Sequence, residues 1–400
     1  MIRRPAAILT LLTGLNLLNY LDRLVVSAVL PRIEGELHLS HLQAGVLATV
    51  FLVGYFVTAP FFGSLGDRRQ RKGLIAIGVA IWSAATIASG LATGFYSLIV
   101  ARIFVGVGEA SYATLAPTII DDLTDREQKG RALAIFYAAA PVGGALGFLV
   151  GGKVESVWGW RSAFFVAGGP GLALALLCLL IAEPARKVAT EKADILRDLR
   201  ALFRVRLYRQ GVLGYCAQTF AIGGFSYWAP TFLVERYRMA LPAANFRFGI
   251  ITVVAGAIGT FVGGRWADGS QRRASDDDGR VKALLRVCAM GSLVGGPLAA
   301  AGFLAPSPAV FFALIFVSIG FLFLVTAPIN AVILQAVPAH LRASAMALSI
   351  FAIHALGDLW SPPLVGFLAD SMPIALAMMA LPLAILVSAG TWWPRRPSAT

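Results

Sequence analysis

Apolar runs long enough to cross a lipid bilayer recur twelve times along this chain, at roughly residues 6–31, 42–63, 73–93, 95–120, 132–151, 162–182, 210–234, 248–266, 283–304, 308–337, 343–368 and 373–393. A helix rises 1.5 Å per residue, so about 20 apolar residues cover the ~30 Å of a bilayer's hydrocarbon. In lipid the backbone of such a run satisfies its own hydrogen bonds only as a helix. Of the 400 residues, 58% are hydrophobic and 14% charged, with a mean hydropathy of +0.76, more apolar surface than a water-soluble domain could bury. The expected fold is therefore an all-α membrane protein of twelve transmembrane helices.

A formal net charge of +13 raises the question of a nucleic-acid partner. The positions of the basic residues answer it. With the N-terminus in the cytoplasm, most of the 34 lysines and arginines fall in cytoplasmic segments: Arg3 and Arg4, Arg68 to Lys72, Arg126 to Arg131, Arg186 to Arg209, Arg265 to Arg286, Arg342, and Arg395 with Arg396. That asymmetry is the positive-inside rule. It predicts an integral protein of the cytoplasmic (inner or plasma) membrane with both termini inside, and gives no reason to expect nucleic-acid binding. The opening "MIRRPAAILTLL" has the basic and apolar parts of a secretory leader, but it continues past a polar centre and reads as the first membrane helix. Cys178, Cys216 and Cys288 lie in three different spans without metal-ligand spacing, so they are expected as core residues and no metal site is expected.

The longest polar stretch, Glu183 to Gln210, divides the spans six and six. The expected organisation is a bundle over 1–183, a basic, partly helical linker over 184–209, a second bundle over 210–394 and a tail over 395–400. Each half carries the same mark between its second and third span: "GSLGDRRQRK" (Gly63, Gly66, Asp67, Arg68, Arg71) and "GGRWADGSQRR" (Gly264, Asp268, Arg272). Repetition at matching positions signals a duplicated bundle. The residues suit a gate: glycines admit close helix approach, Asp can cap a helix, and Arg reaches carboxylates or anionic lipid heads.

Charges inside a membrane are costly, about 2.5–3.5 kcal/mol each, and they mark function. On a helical wheel Asn16, Asn19, Tyr20, Arg23 and Ser27 form one polar stripe of the first span, a candidate substrate-binding face. Asp22 lies off it and should face a helix contact. Arg102, at similar depth in the fourth span, is its expected ion-pair partner. Glu109, two turns further along, returns to the same face with no assigned cation, which suits it to carry a proton. Asp22, Arg102 and Glu109 are thus the proton-coupling candidates. His354 and Asp358 share a face of the eleventh span, ahead of Pro362 and Pro363, which should break that helix. In "AIGGFSYWAP" of the seventh span, glycines and Pro230 flank Tyr227 and Trp228, and Phe225 lies between. With His354 and Asp358 these aromatics complete the candidate substrate-binding set, because transporters place sites at discontinuous helices.

"GSLGDRRQRK" resembles the loop signature of the major facilitator superfamily, and "RIFVGVGE" its fourth-helix motif. "NYLDR", "VGVGEASYATLAPTIIDDL", "IFYAAAPVGGALGF" and "HALGDLWSPPLVGFLAD" resemble the spinster branch, transporters of sphingolipids and lysophospholipids. One departure is Ala140 before Pro141, where antiporters of the superfamily often carry Gly, so the direction of exchange stays open. The resemblance implies two six-helix bundles that alternate access to a central site, a single-chain amphiphilic lipid as substrate, and a proton as the only coupling ion, without other cofactor. A drug or small organic ion exporter of the same superfamily is the alternative, and an uncoupled lipid scramblase is another. The chain is expected as a monomer. "DDLTD" (Asp121, Asp122, Asp125) also matches the acidic pattern of membrane prenyltransferases, but it sits in a short polar loop, whereas magnesium ligands should face a central cavity.

Overall fold

The computed structural model describes residues 1–2, 4–125, 127–184, 195–274 and 276–394. Much of the expected linker, 185–194, and the expected tail, 395–400, lie outside the described residues. Six long helices come first: α1 (Pro5–Leu37), α2 (His41–Arg68), α3 (Arg71–Gly90), α4 (Phe95–Leu123), α5 (Lys129–Trp158) and α6 (Trp160–Leu179). A short helix, α7 (Ile195–Arg204), ends the linker. Three more long ones follow, α8 (Arg206–Tyr237), α9 (Leu241–Gln271) and α10 (Asp277–Phe303).

The last three spans are broken. The tenth is α11 (Pro308–Leu324) and α12 (Thr326–Gln335). The eleventh is α13 (Arg342–Ile353), a π-helical turn His354–Asp358, and α14 (Ser361–Ala369). The twelfth is α15 (Ile374–Ala377) and α16 (Ala380–Trp392). The eleventh span breaks one turn earlier than its prolines suggest. Pro362 and Pro363 stand in the first turn of α14, where the missing N–H costs no helical hydrogen bond.

Among the described residues, ten spans are long and apolar enough to cross a membrane. α1 and α8 match them in length, at 33 and 32 residues. Asn16, Asn19, Asp22 and Arg23 in α1, and Arg209, Gln210 and Gln218 in α8, lower their mean hydropathy.

In the first unit α1 packs along α5, α2 along α4, and α3 against α4 and α6. A Cβ at Gly106 of α4 would run into the Phe51 carbonyl of α2, so glycine permits that approach. Large apolar side chains point outward, Phe61 at 70% and Leu176 at 67% exposure, as suits a surface whose solvent is hydrocarbon. Ile2 bridges to Ile181, which ties the N-terminal end to the residues after α6.

By packing, residues Ala229–Gly249 belong with the first six spans, and the rest of α8 and α9 belongs with α10 to α16. The Asn245 amide donates to the Ala28 carbonyl at 2.8 Å, and Phe148 meets Phe248 edge to face. Within the second unit α10 packs on α11 and α16.

The α1–α2 connection is tightly specified. His38 closes α1 in the left-handed region at φ 54°. Ser40 and Gln43 then form a reciprocal capping box, with bonds of 3.2 and 3.0 Å.

Candidate functional site

A cluster of charges in the first unit is built by Asp22 and Arg23 of α1 and Arg102 and Glu109 of α4, with Phe51 and Tyr55 of α2 and Thr86 of α3 around it. Arg23 Nε donates to Glu109 Oε2 at 2.8 Å, with Glu109 fully buried and the Arg23 side chain 20% exposed. The Arg23 guanidinium also lies 5.0 Å from the Tyr20 ring, 5.1 Å from Phe51 and 5.9 Å from Tyr55. Arg102 lies 5.2 Å from the same Phe51 ring. Such cation–π contacts contribute about 0.5–2 kcal/mol each where water is scarce.

Two expectations are corrected. Glu109 is not without a cation: Arg23 pairs with it. Asp22 does not pair with Arg102. It is buried, as its position off the polar stripe requires, but its Oδ2 accepts from the Thr86 hydroxyl of α3 at 2.5 Å. Nε and Nη1 of Arg102, Oδ1 of Asp22, Oε1 of Glu109 and Nδ2 of Asn19 are all buried without a hydrogen-bond partner. A buried polar atom left unsatisfied costs about 1–3 kcal/mol, and a cluster of them on four charged or amide side chains marks a place able to take a proton or a polar ligand group. Two carboxylates and two guanidinium groups meet here, yet only one ion pair is closed.

Asn16 does a different job. Its amide donates to the Phe136 carbonyl at 2.8 Å and ties α1 to α5. Sequence reasoning missed Phe51, Tyr55 and Thr86. Ser83, Thr86 and Ser89 recur every three residues along α3 and are all buried, a polar stripe that would have pointed to Thr86; Phe51 and Tyr55 have no such signal. Replacing Thr86 with Val should remove the one hydrogen bond made to the buried Asp22 carboxylate and lower stability by about 1–3 kcal/mol. Thr86→Ser, which keeps the hydroxyl, should restore it, as read by thermal unfolding in detergent.

In the second unit His354 Nδ1 lies 2.9 Å from Asp358 Oδ2, within the π turn. Single π turns within helices are frequent at functional sites. Phe225, Tyr227 and Trp228 are all buried in α8, and the Trp228 indole donates to the Pro362 carbonyl at 2.9 Å. That bond joins α8 to α14 beside the two prolines. A Cβ at Gly223 would run into Asp358, so α8 meets the π turn at close range.

The two gating marks differ. Gly66 is buried against Leu115, and Arg71 is buried in a network: Nη1 donates to Asp122 at 2.6 Å and to Thr118 at 3.2 Å, and Nε to Glu183 at 3.2 Å. Gly63 and Asp67 line the same cleft, of about 560 Å³, and Arg68 is exposed beside it. In the second mark Asp268 and Arg272 are exposed at the end of α9, and Gly264 is half-buried. Two of the "DDLTD" acids make ion pairs near the first of these marks: Asp122 with Arg71 and Asp121 with Lys129.

The sequence matches the Major Facilitator Superfamily over residues 12–362. It is 37% identical to protein spinster homolog 1 of Homo sapiens over 396 residues, covering 92% of this chain and 74% of that protein. It is 33% identical to the probable sphingolipid transporter spinster homolog 2 of Arabidopsis thaliana, covering 92% and 81%. The crystal structure of a bacterial homologue of the human lysosomal transporter spinster superposes with a TM-score of 0.86 at 21% identity, over 97% of this chain and 96% of that one. A D-xylose–proton symporter superposes at 0.75 with 17% identity, over 96% of each chain. These likenesses establish the fold.

Proposed function

The chain belongs to the spinster family of the major facilitator superfamily, and from that premise we propose that it moves a single-chain amphiphilic lipid by proton-coupled alternating access. It is a membrane transporter and not an enzyme. The observation that carries the coupling proposal is the buried cluster of Asp22, Arg23, Arg102 and Glu109, with one ion pair closed and several polar atoms unsatisfied. Glu109 is the principal proton carrier in this reading. A proton on Glu109 discharges the carboxylate and frees the Arg23 guanidinium, while Asp22 and Arg102, apart in this structure, form the switch that closes in another state of the cycle. The freed guanidinium, flanked by Tyr20, Phe51 and Tyr55, suits an anionic headgroup. Each methylene of a chain laid along apolar side chains adds about 0.8 kcal/mol.

The phosphate of a lysophospholipid fits the freed guanidinium, whereas the amine of a sphingosine-like molecule would pair with the Asp22 carboxylate instead; the Arabidopsis relative's name supports the lipid class. The reading includes a monomer in the cytoplasmic membrane, with both termini inside, and no cofactor beyond the proton. On a background without native cysteines, Cys at Asp125, in the connection after α4, should be shielded from impermeant reagent outside intact cells, whereas Cys at Thr93, before α4, should react. The reverse pattern inverts the topology.

The test of function is reconstitution in liposomes with labelled lysophospholipids, sphingoid lipids and soluble organic ions, with and without an imposed pH gradient. Gradient-driven accumulation of a single-chain lipid supports the proposal. Lipid equilibration indifferent to the gradient identifies a scramblase, and driven uptake of soluble ions without lipid binding identifies an organic ion exporter.

A further inference from the structure

Away from the charged cluster, three side chains from three helices gather at one end of the first unit. Glu34 comes from the last turn of α1, His41 from the start of α2, and Glu235 from the last turn of α8, some 200 residues later. His41 stands between the two carboxylates, with Nδ1 at 2.8 Å from Glu34 Oε1 and Nε2 at 3.6 Å from Glu235 Oε1. One donor atom from each residue lies within 4.8 Å of the other two. We propose that Glu34, His41 and Glu235 form a binding site for a divalent transition-metal ion, with zinc as the best fit.

The donor set selects the ion. Calcium takes six to eight oxygen ligands and magnesium keeps an octahedral, largely hydrated shell, whereas an imidazole with carboxylates suits zinc. Two ionised carboxylates and a neutral imidazole carry a charge of −2, which one divalent cation balances. Nearby, Arg32 pairs with Glu155 at 2.7 Å and Arg161 with Glu36 at 2.6 Å, while Arg238 lies close enough to Glu235 to offset part of that charge.

Zinc needs its donors at about 2.0–2.2 Å, so the three must draw together from their present spacing. The side chains allow it. Glu34, at 9% exposure, is held by the packed end of α1, while His41 at 25% and Glu235 at 38% are open to incoming ions. The left-handed residue His38 and the Ser40–Gln43 capping box fix the connection that carries two of the three ligands. A bound ion would fasten the end of α8 to the α1–α2 connection, joining residues from the two halves of the sequence.

The full-length protein, purified in detergent and stripped with chelator, should bind one Zn²⁺ per chain in calorimetric titration at neutral pH. Co²⁺ in its place should give the visible absorption bands of a low-coordinate site. Glu235→Gln and His41→Ala should each weaken Zn²⁺ binding by about tenfold or more and abolish the Co²⁺ bands. Glu235 is well exposed, so its Gln variant tests the site even if Glu34→Gln impairs folding. Excess Ca²⁺ or Mg²⁺ should not displace the zinc. Absence of Zn²⁺ binding by the wild type overturns the proposal, as does undiminished affinity in the His41→Ala and Glu235→Gln variants.

Discussion

Glu109→Gln is expected to leave a folded protein whose transport no longer responds to a pH gradient. The Gln carbonyl oxygen can still accept from Arg23 Nε, which now donates to Glu109 across 2.8 Å, so the geometry of α1 against α4 survives. What disappears is the ionisable group. Glu109 is fully buried, and in the native protein a proton there changes the balance of the whole cluster from neutral to +1. With Gln the balance is fixed at +1, as though a proton were permanently bound, and an imposed gradient has nothing left to drive at that position. The measurement is substrate accumulation in liposomes at equal and unequal pH, beside wild type and with unfolding temperature as the folding control. Accumulation that keeps its native pH dependence would move the proton role to His354 and Asp358, a half-buried acid–base pair within the π turn.

Why the sequence pointed to Glu109 but not to its partner follows from what helical periodicity contains. Spacing places Arg102 and Glu109 on one face of α4 and separates Asp22 from Arg23 by about 100° on α1. It does not fix how far each helix is rotated about its own axis against its neighbours, and two arginines at comparable depth competed for two acids. Packing through Gly106 and Phe51 sets the rotation of α4 against α2, and in that setting Arg23 reaches Glu109. Asp22's partner was harder to find because Thr86 is uncharged and lies 64 residues away. Twelve spans and the burial of Asp22 were legible because each rests on composition or period within one segment. The π turn at His354–Asp358 was not, since the visible prolines pointed one turn too late. The meeting of Glu34 and His41 with Glu235 depends on how far α8 extends beyond its apolar run, which hydropathy does not specify.

Arg23→Ala should be the most destabilising single change at the site, and the reason makes it separable from a simple loss of packing. It leaves the fully buried Glu109 carboxylate without its cation. Breaking a buried pair by removing one partner costs about 3–5 kcal/mol; with a fifth of the Arg23 side chain exposed, the lower end, about 3 kcal/mol, applies. Because the cost falls on the ionised carboxylate, it should shrink as pH falls and a proton replaces the guanidinium. Two measurements follow. The unfolding temperature of Arg23→Ala should approach that of wild type at low pH and diverge from it as pH rises. The double variant Arg23→Ala with Glu109→Gln, which no longer buries a charge, should be more stable than Arg23→Ala alone, with a coupling energy of about 1–3 kcal/mol between the two positions. If Arg23→Ala loses stability equally at every pH and the second substitution restores nothing, the 2.8 Å contact is packing rather than an ion pair, and proton transfer at Glu109 would not be what releases Arg23 toward substrate.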